Sequence, residues 1–177
     1  MGGRKGFTAE KLIIGILTPH PQLPGSIITL LQDQYGEIER TDGPFPFTYT
    51  HYYDAEMGTG LQKHFLTFRL LVDPADLPAI KLFTNRVERQ YAAPDGRRML
   101  NLDPGLLSAG RFILATTKDR GHRIPLSCGI YGEVTLIYSS REFRTLPWTY
   151  DDFAGDGYRQ LLKEIRRAYL DQLKRER

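Results

Sequence analysis

A chain of 177 residues with 41% hydrophobic and 25% charged residues has the composition of one globular domain rather than of a disordered polymer. At this length about 70% of the unfolded surface is buried on folding, so the fold needs neither metal nor disulfide. The single cysteine, Cys128, has no partner for an internal bridge, in keeping with a reducing compartment. A net charge of +3 reads as ordinary solubility rather than a nucleic-acid footprint. The apolar run Leu12–Leu17 falls well short of the roughly 20 residues of a membrane span. Thr18-Pro19-His20-Pro21 follows it without a small-residue cleavage pattern, so no signal peptide is read, and a cytoplasmic location without membrane contact is expected.

Residues 1–10 are polar and glycine-rich and are expected to be flexible; residues 11–177 form the domain. Lys11–Thr18 is a continuous aliphatic run that predicts a buried central strand. Pro24-Gly25-Ser26 opens a helix with Ser26 as N-cap and Gly36 as its stop. The stretch Ile38–Tyr53 combines β-favouring aromatics with Pro44 and Pro46, which predicts an edge strand or extended arm because proline donates no ladder hydrogen bond. His64–Val72 predicts a second long strand. Asp73-Pro74 is a helix-entry signal, and the regular helix is expected from Leu77. Leu77, Ile80, Thr84, Val87 and Tyr91 make its inner face, and Lys81, Arg86 and Arg89 lie outside.

Arg97–Leu102 predicts a short strand. Asp103-Pro104-Gly105 repeats the cap chemistry of Asp73-Pro74 and predicts a helix, although Phe112–Leu114 reads equally well as strand. Arg123–Leu126 and Ile130–Tyr138 predict a hairpin. On period-2 alternation its second strand sets Ile130, Val134, Leu136 and Tyr138 against Tyr131, Glu133, Thr135 and Ile137 on the opposite face. Ser139–Thr145 is a polar connection, and a C-terminal helix from Tyr158 buries Leu161, Leu162, Ile165, Tyr169 and Leu173. Arg166, Arg167, Lys174, Arg175 and Arg177 lie outside that stripe. The order β-α-β-β-α-β over the first hundred residues is the ferredoxin-like arrangement. The expected fold is therefore a single α+β domain with a ferredoxin-like βαββαβ core, extended by a β-hairpin and a C-terminal helix.

A set of local motifs spans nearly the whole chain after the first ten residues. They are Lys11–Leu17, Pro44-Phe45-Pro46-Phe47, Tyr52-Tyr53 with Glu56-Met57-Gly58, Lys81-Leu82-Phe83-Thr84-Asn85, Asn101-Leu102-Asp103-Pro104-Gly105, and Leu114–Asp119. His122-Arg123-Ile124, Gly129-Ile130-Tyr131 with Glu133–Leu136, and Leu146-Pro147-Trp148-Thr149-Tyr150 complete it. In these the chain resembles a family of small, uncharacterised prokaryotic proteins, a domain of unknown function whose members sometimes carry a loose GTP-binding label. The resemblance implies no established activity and no catalytic residues.

The residues themselves speak against a P-loop GTPase. Thr117-Lys118-Asp119 looks like a guanine-reading loop, but no Gly-rich phosphate loop ending in Gly-Lys-Ser/Thr is present, and phosphate binding in that class depends on such a loop. The densest polar group is Thr117, Lys118, Asp119, His122 and Arg123. Lysine and arginine beside a histidine suit phosphate or carboxylate, so Thr117, Lys118, Asp119 and Arg123 are the candidate ligand-binding residues. His122, Asp103 and Glu133 are the candidate acid–base residues. Asp54 and Glu56 are the candidate ligands of a divalent metal, although no HExxH or CxxC spacing is present. Each has a plainer reading beside it: Asp54 and Glu56 cap a turn, Asp103 caps a helix, and the 117–123 group is a solvated turn. The function expected is binding of a small anionic, phosphate- or nucleotide-like ligand, with hydrolase or transferase chemistry open. The alternative is an RNA- or protein-binding module without catalysis, using the aromatic arm Phe45–Tyr53 and the basic C-terminal helix.

Overall fold

The structure, a computed structural model, describes residue 3 and residues 5–176. Part of the N-terminal stretch expected to be flexible (Met1, Gly2, Arg4), and Arg177, expected on the outer face of the C-terminal helix, lie outside the described residues. The central sheet has eight strands: β1 (Glu10–Thr18), β2 (Ile38–Pro46), β3 (Gln62–Val72), β4 (Asn101–Leu107), β5 (Arg111–Thr116), β6 (Ile124–Pro125), β7 (Tyr131–Ser139) and β8 (Glu142–Thr145). Their order is β2-β3-β1-β4-β5-β7-β6, with β8 pairing to β7, and every pairing is antiparallel.

The aliphatic run of β1 lies at the centre because both of its faces are covered. Leu12, Ile14 and Ile16 pack with Leu66 and Phe68 of β3 under two helices, α1 (Gly25–Tyr35) and α3 (Leu77–Gln90), which contribute Ile27, Leu31, Leu77, Ile80 and Val87. On the opposite face Ile13, Phe65, Phe112 and Leu136 meet the C-terminal helix α5 (Asp156–Arg175) through Tyr158, Leu161, Leu162, Ile165 and Tyr169. Each such fully buried side chain contributes on the order of 1.5–3 kcal/mol. Two short helices, α2 (Asp54–Met57) and α4 (Asp151–Ala154), lie in the connections. No helix among the described residues is long and apolar enough to cross a membrane. The domain is α+β, as expected.

Several boundaries differ from the sequence expectation, each for a physical reason. Helix α1 starts at Gly25, with Pro24 rather than Ser26 as its N-cap. Asp73 accepts from the Ala75 N–H at 2.8 Å, but what it caps is a short 3-10 turn, and α3 begins at Leu77 as expected. The strand expected over Arg97–Leu102 is shifted to Asn101–Leu107, and Asp103-Pro104-Gly105 is its interior rather than a helix cap. Proline is tolerated there because only one edge of this part of β4 is paired, to β1; the donor that Pro104 lacks falls on the unpaired edge. The connection expected over Ser139–Thr145 contains β8. Ser139 pairs with Glu142, and Ser140 and Arg141 adopt φ of 52° and 68°, the two left-handed residues of a tight hairpin turn.

Candidate functional site

The site is created where β4 and β5 part. They pair only through Gly105↔Leu114, Leu106↔Ile113 and Leu107↔Phe112, while the rest of β5 runs on beside β7. Asn101–Pro104 are therefore held by β1 alone, and the free backbone groups need other partners. Two side chains of α3 supply them. Glu88 Oε1 accepts from the Leu102 N–H at 2.6 Å, and Lys81 Nζ donates to the Leu102 carbonyl at 2.8 Å. Lys81 and Glu88 lie seven residues apart, two turns of helix on one face. Lys81, expected outside, is thus turned inward, with its side chain 8% exposed. Burial pushes the Glu88 carboxyl up, against the pull of Lys81 and the Leu102 N–H. Protonation of a group raised in this way favours the fold, and glutamine keeps the acceptor. Glu88→Gln is accordingly expected to be near neutral at pH 7. Glu88→Leu orphans the Leu102 N–H and is expected to lose about 1–3 kcal/mol, read by urea unfolding; equal losses for the two variants would refute the backbone-capping role.

Asp103 lies at the floor of the opening. Its Oδ2 accepts from Asn101 Nδ2 at 2.6 Å and from Lys63 Nζ of β3 at 3.4 Å, and its Oδ1 lies 3.6 Å from Lys81 Nζ. Burial alone would raise the Asp103 carboxyl, but Lys63, Lys81 and the Asn101 amide outweigh it and hold it below the usual carboxylate range. The Lys63 side chain is 4% exposed. Room for it comes from Gly15 of β1, where a Cβ would stand 3.0 Å from Lys63 Cε and 3.2 Å from its Nζ. Asp152 of α4 faces the same lysine. Burial raises its carboxyl and Lys63 draws it back.

The other wall is built on Glu133 of β7. Phe112↔Leu136 is followed directly by Ile113↔Val134, so Thr135 is an extra residue, a β-bulge. The bulge breaks the simple alternation: Leu136 and Glu133, expected on opposite faces, come to the same one, Glu133 opposite Leu114. Glu133 Oε2 accepts from Arg123 Nε at 2.7 Å and lies 2.9 Å from His122 Nε2. Arg123 also donates to the Lys118 carbonyl at 2.8 Å and the Tyr150 hydroxyl at 2.7 Å. His122 stacks on Trp148, ring centres 5.0 Å apart. Burial, and after it the neighbouring Glu133, raises the Tyr150 phenol. Glu133 Oε1 is buried with no partner among the described residues.

Together these walls enclose a cleft of about 950 Å³, within the range of small-molecule sites. Lys63, Lys81, Glu88, Asp103, Glu133 and Asp152 line it, with Tyr52, Tyr53, Trp148 and Tyr150 as aromatic walls. Of the residues singled out in the sequence, Asp103, Thr117, Lys118, Glu133 and Glu56 line this cleft. His122 and Arg123 stand behind Glu133, and Asp119 is exposed in the loop beyond Lys118. Lys118 lies at the rim, its ammonium 4.6 Å from the centre of the Tyr52 ring. Asp54 pairs with the exposed His51 at 2.7 Å and Glu56 with Arg98 at 2.9 Å. Among the described residues no group of three or more His, Cys, Asp or Glu side chains is gathered as a metal ion would need. Lys63, Lys81, Glu88 and Asp152 escaped the sequence reading. For Lys63 a signal existed, since it shares the period-2 face of Phe65; for Lys81 and Glu88 it was their seven-residue spacing.

A family model described as a domain of unknown function, DUF4416, matches residues 8–169. The chain belongs to this family. The DUF4416 match takes in all eight strands, all five helices in whole or part, and every residue of the cleft. No curated protein and no solved structure matches the chain.

Proposed function

We propose that this cleft binds a small anionic ligand, phosphate- or nucleotide-like, with the anion against Lys63 and Lys81 and with Lys118 at the entrance. Lys63 is the observation that carries the reading. An ammonium has three donors, and among the described residues this one makes a single hydrogen bond, 3.4 Å long, to Asp103. A buried cation with unfilled donors is costly, and an oxyanion entering the cleft would fill them with charge-assisted bonds. Asp103 and Glu133 are the carboxylates in reach of such a ligand, and hydrolase or transferase chemistry would draw on them. Arg123 serves this site from behind, because three of its N–H groups are taken within the protein. The strand order β2-β3-β1-β4, with α1 and α3 on one face, supports reading the first half of the domain as a ferredoxin-like unit, to which β5–β8 add the second wall.

The RNA-binding alternative draws less support. Phe45 packs on Phe65 and Tyr158, and Phe47 on Tyr53 beside Leu17, Met57 and Leu61, so Phe45, Phe47 and Tyr53 of the aromatic arm are engaged in the protein's own packing. The test is a thermal-shift and titration series with inorganic phosphate, pyrophosphate and nucleoside phosphates. A compound at a hundred times its Kd should add about 2.7 kcal/mol of stability, and Lys63→Met, folded, should abolish the effect. Indifference to all of these anions, or binding unchanged in Lys63→Met, would end the reading.

A further inference from the structure

Binding an anion at Lys63 leaves the opposite wall of the cleft unused. Glu133 is 1% exposed, and both of its partners, Arg123 and His122, address the same oxygen, Oε2. The other oxygen, Oε1, is buried and has no hydrogen-bond partner among the described residues, on a side chain that lines the cleft. Native proteins seldom leave a buried acceptor unmatched, and a carboxylate oxygen left so bears the desolvation of an ionised group. The carboxylate is also fixed: Arg123 and His122 hold Oε2 from behind, and Arg123 is itself tied to the Lys118 carbonyl and the Tyr150 hydroxyl. A rigid, unmatched acceptor on a side chain that lines a cavity selects for a donor.

Resting on the reading of the cleft as an anion site, we infer that its ligand is bipartite: an anionic end seated at Lys63 and Lys81, and a ring or sugar whose N–H or O–H donates to Glu133 Oε1. The spacing calls for such a molecule. The Lys63 ammonium stands beside Asp103 on β4, and Glu133 is two strands away on β7. Two strand spacings are about 10 Å, and the parting of β4 from β5 adds to that. Phosphate alone cannot touch both ends; a phosphorylated heterocycle or sugar can. The same cleft is lined by Tyr53, Tyr150 and Trp148, flat faces on which a planar ring stacks.

The test compares wild type, Glu133→Gln and Lys63→Met with pyrophosphate, ribose 5-phosphate and the four common nucleoside 5′-monophosphates, by titration calorimetry. In Glu133→Gln the amide oxygen stays with Arg123, which turns the NH2 group to the place of Oε1, where it opposes a donor. The compound that wild type prefers should then bind about 10- to 100-fold more weakly, while pyrophosphate is unaffected. Should Glu133→Gln not fold, the ligand carries the same test: the preferred compound with its donor methylated or removed should lose a similar factor against wild type. Equal loss for nucleotide and pyrophosphate, or loss for neither, while Lys63→Met abolishes both, overturns the bipartite ligand and leaves the anion site standing. If no phosphorylated compound binds, or Lys63→Met changes nothing, the anion site falls and the inference with it.

Discussion

Arg123→Met is expected to cost about 3–5 kcal/mol of folding stability, the largest loss for any single substitution around the cleft. The guanidinium and the Glu133 carboxylate are 6% and 1% exposed and 2.7 Å apart. Removing the cation leaves a buried carboxylate whose remaining neighbour is His122 at 2.9 Å. The same substitution frees the Lys118 carbonyl and the Tyr150 hydroxyl, so the loop bearing Lys118, strand β7 and the segment at Trp148–Tyr150 lose their common brace. The share of that loss that comes from the unpaired Glu133 carboxylate should be recovered in Arg123→Met/Glu133→Leu, because a buried ion pair replaced as a whole by apolar groups is often close to neutral. The share that comes from the freed Lys118 carbonyl and Tyr150 hydroxyl remains. Denaturant unfolding of the two singles and the double gives the coupling directly. A single-variant loss under 1 kcal/mol, or no recovery in the double, would show that the pair does not brace the wall.

The apolar runs and helix stripes were legible in the sequence because burial imposes its period on them: β1, β3, α3 and α5 all lie where their patterns predict. The site was legible only in pieces. The polar group around Lys118 and Arg123 stands out in the sequence, but which of its members face the cleft depends on one extra residue, Thr135, that moves Glu133 to the face of Leu136. No local signal marks that bulge. Asp103-Pro104-Gly105 misleads for a related reason. Its chemistry matches Asp73-Pro74, and what makes it strand is β1 on one side and the capping pair Lys81 and Glu88 on the other. Those contacts join residues far apart in the chain, and charged side chains on a helix are ordinarily read as its outer face. The buried lysines were hidden because they answer to a gap between two strands, which exists only once the sheet has formed.

That gap also gives Asp103 a part in the pH dependence of the fold. Asp103→Asn is expected to lose about 2–3 kcal/mol at pH 7, below the range for a fully enclosed pair because the Asp103 side chain keeps 28% exposure. Two ammoniums, of Lys63 and Lys81, lose their shared counter-charge, while asparagine still fills the space. Since Lys63 and Lys81 hold the native carboxyl below its ordinary value of 3.8, the unfolded chain takes up the proton first as pH falls. The contribution of Asp103 is therefore complete only above about pH 5, begins to fall as the unfolded carboxyl takes up its proton, and is gone once the pH has dropped through its depressed native value. Wild type and Asp103→Asn should differ most near neutrality and converge in acid, a comparison that urea unfolding from pH 7 to pH 2.5 resolves. A difference that stays constant across that range would mean that Asp103 acts through shape and neutral hydrogen bonds. An anion held at Lys63 as proposed would then face a floor whose charge is set by Asp152 and Glu88, both raised by burial, and its affinity would follow their titration instead.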